Sequence, residues 1–376
     1  MNERPRIAIV CPLPPWAPGG IERVVAETCR HLREGFDISV YATSESADQL
    51  GERLWEGIRV RVFKAYRHTF CLSVPLYRHL QREEGIALVH AHNHGTLIPL
   101  ISAMAKSNIP LVINPHFHMA GATRANSILK KLYDPLMAPL AYRKADAVVC
   151  NSMSERDLVV AKYPFLRGNA RVISNGVAAS SIRNAQPFPV EGKVVLCVSR
   201  LVRYKNVHLV LKVLKHLPKE YVAVVVGTGP EETSLRELAM SLGLGDRARF
   251  VGRVADDDVY RWYRTATVLA HLSEIESFGM VCVEALAAGT PVVANDDRGG
   301  LKETIGLFQP NIIAVDVKRD SAEEIARAIE RASRIQVRVD LSHLVWDAIA
   351  RQFAELYIEL ISANEDNRKA GRETQR

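Results

Sequence analysis

Two doubly wound α/β domains with a cleft between them are what this sequence predicts, and three observations lead there. Both halves alternate apolar strands with helices, the pattern of a parallel sheet covered on both faces. The alternation breaks at 180–192, a stretch holding Pro187 and Pro189, and restarts at the apolar run 194–199. At 376 residues the chain is long enough for two domains of ordinary size. The expected division is 1–185, 186–345, a helix over 346–363 and a polar, frayed tail over 364–376.

Composition narrows the function classes. The chain is 48% hydrophobic and 24% charged, a globular balance. It shows neither a signal segment nor an eighteen-residue apolar run, so a cytoplasmic protein is expected. Cys11, Cys29, Cys71, Cys150, Cys197 and Cys282 lack paired or metal-ligand spacing and read as buried reduced thiols. Residues 1–185 hold 23 Lys and Arg against 15 Asp and Glu, and the remainder 26 against 27. The basic excess therefore belongs to the first half. With no nucleic-acid motif, it points to an anionic membrane surface or anionic acceptor, or to simple solubility.

In the first half, the strand 6–12 leads through Gly19 and Gly20 into a helix running to about Leu32. Small residues there let the backbone approach a ligand, and the helix N-terminus then faces a phosphate. Strands are expected over 38–42 and 59–63, joined by a polar segment, and over 87–90. The last empties into His90-Ala91-His92-Asn93-His94. Alternation in an extended segment sends successive side chains to opposite faces, and neither carboxylate nor cysteine joins at ligand spacing, so metal is not expected. The strand 110–113 ends at Asn114-Pro115-His116-Phe117-His118, where a histidine at a strand end could act on a proton or a hydroxyl near neutral pH. Residues 122–143 read equally as a basic helix lying on an anionic surface or as an ordinary amphipathic helix interrupted by Pro135 and Pro139. The strand 145–151 and a helix opened by Asn151-Ser152-Met153-Ser154-Glu155 follow, then a closing strand and turn over 172–177.

In the second half, the strand 194–199 leads to Arg200-Leu201-Val202-Arg203-Tyr204-Lys205-Asn206 and a helix from Val207. Gly227-Thr228-Gly229 follows the strand 222–227. It lacks the third glycine of a dinucleotide fingerprint and reads as structural. Asp256-Asp257-Asp258 sits where helix N-cap carboxylates belong. The apolar run 267–272 then ends in a polar loop with Glu276. A helix follows whose N-terminus, Phe278-Gly279-Met280-Val281, suits anionic or hydroxyl-rich ligands and which carries Glu284 just over one turn in. Gly289 and Pro291 stop it before the strand 292–294. Gly299-Gly300 turns into another helix, Ser321 and Glu324 form a capping box, and Trp346, Ile349, Phe353 and Leu360 give the last helix an apolar stripe.

The spacing E-S-F-G-x4-E-A-x-A-x-G-x-P-V-V-A around Glu276 and Glu284 resembles the donor-sugar signature of retaining glycosyltransferases of family 4, which have the GT-B architecture. The resemblance covers nearly the whole chain and is strongest over 194–303. It implies two Rossmann-like domains and a C-terminal helix crossing back to the N-terminal domain. Glu276 would contact hydroxyls of the transferred sugar, and Glu284 the nucleotide ribose. Arg200 and Lys205 match the cations that neutralise a departing diphosphate, with Arg203 nearby. Gly19 and Gly20 would approach the diphosphate, and the backbone at Gly252 and Arg253 the base. His116 aligns best with the strand-end histidine, with His118 two residues on, and His92 lies in the His-rich loop on the acceptor side.

The implied activity is metal- and cofactor-independent transfer of a hexose-type sugar from a nucleoside-diphosphate sugar to a hydroxyl of a lipid-linked or cell-envelope saccharide. The protein would then be cytoplasmic or peripheral on the inner membrane face. Two alternatives stay open: a sugar phosphorylase or epimerase on the same architecture, and a catalytically silent nucleotide-sugar-binding subunit.

Overall fold

The structure is a computed structural model describing residues 4–66, 70–106, 108–117, 133, 135–296 and 299–374, the last four by backbone alone. Most of the basic stretch 122–143, together with His118, lies outside the described residues. The chain forms two compact units: Met1–Gly176 with Trp346–Arg376, and Val177–Val345.

The first unit is an eight-stranded sheet in the order β3-β4-β2-β1-β5-β6-β7-β8. Its strands are β1 Arg6–Val10, β2 Asp37–Ser44, β3 Gly51–Trp55, β4 Ile58–Lys64, β5 Ile86–His92, β6 Leu111–Asn114, β7 Ala147–Cys150 and β8 Ala170–Val172. Ile7, Ile9, Leu88, Val112 and Val148 have no exposed surface, as a sheet covered on both faces requires. All pairings are parallel except β3 with β4, an edge hairpin where the sequence suggested a plain polar connection. Its strand Gly-Glu-Arg-Leu-Trp lacks buried apolar alternation, so nothing in its pattern marks it as a strand.

The second unit is a six-stranded, all-parallel sheet in the order β11-β10-β9-β12-β13-β14. It comprises β9 Lys193–Val198, β10 Tyr221–Val226, β11 Ala248–Gly252, β12 Val268–His271, β13 Val292–Asn295 and β14 Ile312–Val315. In both sheets the strand order reverses next to the first strand of the unit, and ligands of open α/β sheets bind beyond the strand ends at such a point.

The units divide at Gly176/Val177 rather than at 185/186. The stretch read as linker, 180–192, overlaps the helix Ala179–Asn184, which packs on the helices Asp256–Thr265 and Met280–Ala287 of the second unit. Asp256, Asp257 and Asp258 occupy the first turn of their helix, with Ala255 at the N-cap, and there they still complement the helix dipole. The capping box of Ser321 and Glu324 is formed.

The final helix runs Trp346–Thr374, so residues 364–374 continue it rather than fray. It belongs to the first unit. Trp346, Ile349, Phe353, Leu356 and Tyr357 are buried, and each such side chain contributes roughly 1.5–3 kcal/mol. Trp346 needs the glycine at 176, since a Cβ there would lie 2.3 Å from its Cδ2. The Tyr357 hydroxyl and His90 Nδ1 share a hydrogen bond at 2.6 Å, and Glu359 pairs with both terminal nitrogens of Arg171. All six cysteines are free and buried.

Candidate active site

In the second unit, the loops after β9 and β12 are stitched together. The loop after β9 makes one tight turn over Arg203–Lys205 and then places Asn206 at φ 54, a left-handed conformation asparagine tolerates better than most residues. The Asn206 amide donates to Leu272 O and Glu274 Oε1, both at 3.1 Å. Glu274 N donates to Tyr204 O at 2.9 Å. These bonds fix the register that sets Lys205 against Glu276.

Lys205 Nζ and His271 Nε2 converge on one oxygen, Glu276 Oε1. His271 lies 2.8 Å away, and Lys205 forms a short ion pair. Burial alone would raise the Glu276 carboxyl, but the His271 hydrogen bond and charge, together with the Lys205 ammonium, outweigh it and hold the group at about 2. Glu276 is therefore an anion at neutral pH. Arg200 is exposed and donates to the Tyr204 hydroxyl at 2.9 Å, while Lys205 Nζ stands 5.5 Å from the centre of the same ring. Tyr204 thus links the two candidate phosphate cations.

The helix Met280–Ala287 starts from Gly279 at φ 82, where a side chain would be strained and a Cβ would sit 2.6 Å from Leu301 Cδ2. Gly300 packs so closely that a Cβ would lie 2.2 Å from Ser277 C, and its N–H donates to Glu276 O at 3.2 Å. Thr304 donates to Phe278 O. Phe278 is buried, whereas Met280 and Val281 keep partial exposure at the helix start. Glu284 accepts from the Tyr263 hydroxyl at 2.7 Å and is 5% exposed, so its carboxylate is anchored from the helix Asp256–Thr265. Gly252 ends β11 and accepts from Gly227 N at 2.7 Å, and Arg253 beyond it is exposed. Gly227 and Gly229 press against the loop after β9, where a Cβ would lie 1.9 Å from Ser199 O and 2.3 Å from Leu201 O. Packing accounts for both.

In the first unit, packing does not explain the glycines of the first loop. A Cβ on Gly20 would meet nothing within 4 Å, and one on Gly19 only the flexible end of Glu22. Strand β5 runs through His92, two residues beyond its expected end. Because residues two apart share a strand face, His90 and His92 lie together, ring centres 4.2 Å apart, rather than on opposite faces. Burial, with the neighbouring His116 charge, drops His90 to about 3; burial, with the charges of His90 and His116, holds His92 well below its ordinary value. Both are neutral. Neither is exposed, and His92 bonds to a residue beyond its own strand.

That residue is His116, at φ 47 just past β6. Its Nε2 lies 3.1 Å from His92 Nδ1, and the Asn151 amide lies 3.2 Å from its Nδ1. The Glu155 carboxylate accepts from Phe117 N and Asn151 N, holding the backbone on both sides of this bridge. Burial raises Glu155 to about 7 against those backbone bonds. Among the described residues, no three His, Cys, Asp or Glu side chains are grouped to hold a metal ion.

Sequence reasoning missed His271, Tyr263, Asn151 and Glu155 as site residues. The available signal was a polar residue closing a buried apolar strand, which applies to His271. Tyr263 and Asn151 are tied to the site by tertiary contacts that no spacing encodes, and Glu155 by one local bond to Asn151 N and one tertiary bond to Phe117 N.

Two doubly wound domains with strand-end loops of this kind have the GT-B architecture. Residues 18–181 match the model "Glycosyltransferase Family 4", and residues 179–343 match "Glycosyl transferases group 1". Together the two models span residues 18–343 and show the chain to be a glycosyltransferase. It is 29% identical over 246 residues to the mannosylfructose-phosphate synthase of Agrobacterium fabrum (strain C58), covering 58% of this chain and 54% of that protein. It is 28% identical over 289 residues to the lipopolysaccharide core biosynthesis glycosyltransferase LpsE of Rhizobium meliloti (strain 1021), covering 71% and 80%. Anabaena HepE, solved in complex with UDP and glucose, shares the fold at a TM-score of 0.72 and 22% identity, covering 93% of this chain and 98% of that one.

Proposed function

We propose that this protein is a retaining, metal-independent hexosyltransferase. It would move a sugar from a nucleoside-diphosphate donor to a hydroxyl of a lipid-linked or cell-envelope saccharide. The observation that carries the reading is the meeting of Lys205 and Glu276 at the ends of β9 and β12: one cation suited to a diphosphate and one ionised carboxylate suited to sugar hydroxyls. Similarity to a UDP-binding structure and to a lipopolysaccharide core transferase supports the substrate class.

In this mechanism Arg200 and Lys205 stabilise the leaving diphosphate. Glu276 orients the sugar, and Glu284 the ribose. The acceptor oxygen attacks the anomeric carbon on the face the diphosphate leaves, the bond from that carbon to the phosphate oxygen breaks, and the acceptor proton passes to the departing phosphate. The backbone at Gly19 and Gly20 would approach the diphosphate, and that at Gly252 and Arg253 the base. His116 would act on the acceptor side, positioned by His92.

Peripheral membrane contact belongs to the same reading. Among the described residues no helix is long and apolar enough to cross a membrane. Leu136, Met137 and Leu140 are nonetheless exposed beside Arg143 and Lys144, which suits an anionic surface.

The test is thermal stabilisation by UDP, GDP and their sugar conjugates in excess EDTA, since a ligand of the folded state raises the melting temperature. A shift with one base series, followed by transfer with retained anomeric configuration, is expected. Loss of the shift in EDTA removes metal independence, and no shift with any nucleotide overturns the donor reading.

A further inference from the structure

Position 271 closes β12, an otherwise apolar buried strand, and a leucine there would satisfy the packing. The chain instead places a histidine with a 4% exposed side chain against Glu276. Nε2 faces a carboxylate oxygen, so this nitrogen carries the proton whether the ring is neutral or charged.

Lys205 and His271, which both donate to Glu276 Oε1, differ in mobility. His271 is fixed by a strand paired in register with Ala294 and has two side-chain torsions. Lys205 reaches the same oxygen from a loop on a flexible four-carbon stem. A diphosphate arriving at Lys205 carries more negative charge than Glu276 and competes for the ammonium. If Lys205 turned away without His271 in place, a largely buried carboxylate would face an incoming anion with both of these charge-assisted bonds gone, which is costly.

We propose that His271 is a positioning residue that retains Glu276 while Lys205 transfers to the diphosphate, so that donor binding is an exchange of partners at one carboxylate oxygen. Glu276 is thereby kept in place, ionised, for the sugar hydroxyls. This rests on the donor-site reading above.

Calorimetric titration of wild type, His271→Leu and His271→Gln with pyrophosphate, UDP, GDP, uridine and guanosine tests it. Glutamine keeps an N–H near the position of Nε2, whereas leucine keeps the packing and removes the donor. His271→Leu is expected to weaken pyrophosphate and nucleoside diphosphate binding about tenfold, the scale of one lost charge-assisted hydrogen bond. His271→Gln should recover to within about threefold. Nucleosides, which do not draw on Lys205, should bind alike in all three. In a Glu276→Gln background His271→Leu should change nothing, because no charge is left to retain.

Equal losses for nucleosides and diphosphates would reduce His271 to a packing role. Unchanged pyrophosphate binding in His271→Leu would overturn the exchange while leaving the donor site standing. Pyrophosphate binding without any nucleotide binding would overturn the donor reading, and the pyrophosphate arm would still decide the exchange. A wild type that binds none of these ligands overturns both.

Discussion

His92 Nδ1 and His116 Nε2 lie 3.1 Å apart, and the far side of the His116 ring meets the Asn151 amide. An Asn151 N–H given to Nδ1 puts the His116 proton on Nε2, pointing at a His92 whose burial keeps it neutral and able to accept. His116→Ala removes the ring from between two buried partners. A stability loss of about 1–3 kcal/mol is expected in urea denaturation. An unchanged midpoint would mean that the bridge does not form in solution.

Glu276→Ala should lower transfer by about two to three orders of magnitude if the carboxylate acts in the transition state, with the far-ultraviolet circular dichroism of wild type. Turnover within a factor of about two of wild type would remove the assigned role.

Two perturbed carboxylates near the candidate site, Glu276 and Glu155, predict opposite pH dependences. Glu276 is depressed to about 2, so its contribution is present above the ordinary carboxylate value and is lost as pH falls from about 4.5 towards 2; the integral is on the order of 3 kcal/mol. Glu155 is raised to about 7 by burial, so the folded state holds the extra proton and this group's contribution declines as pH climbs from about 4.5 to 7. Chemical denaturation across this range should show Glu276→Gln converging on wild type at low pH. Glu155→Gln should gain on wild type as the pH rises to 7. A constant gap in either comparison contradicts the corresponding assignment.

Gly279→Ala combines a left-handed backbone with a methyl pressed on Leu301. A cost above about 1 kcal/mol is expected. Gly289 is also left-handed, at φ 84, but opens onto empty space, so Gly289→Ala should cost less. Equal melting temperatures for the two would mean that the Leu301 contact relaxes freely.

Co-sedimentation with phosphatidylglycerol-rich vesicles should exceed that with phosphatidylcholine vesicles and fall with salt, as electrostatic attachment requires. Equal binding to both removes the charge argument.

The alternating elements were legible because buried parallel strands such as Val222–Val226 and Val292–Ala294 are apolar throughout and end in glycine, proline or polar loops. The Glu276–Glu284 stretch was legible from its motif and its strand–loop–helix setting. The β3 hairpin was not, since an exposed edge strand carries no burial pattern. The helix Ala179–Asn184 hid behind small and polar residues that declare no apolar stripe. His271 was overlooked because spacing shows that a histidine ends a strand but not that a glutamate five residues later folds back onto it.

The helix Trp346–Thr374 has a consequence for synthesis. Trp346, Phe353 and Tyr357 complete the core of a unit whose first strand begins at Arg6. The nascent chain must therefore emerge as far as this helix before that unit can close, while every residue of the second unit precedes the helix. Domains usually mature in the order they leave the ribosome; here the later-made unit can finish first. Until then the surfaces that Trp346, Phe353 and Tyr357 cover in the finished unit, beside Gly176 and His90, stay open to other partners.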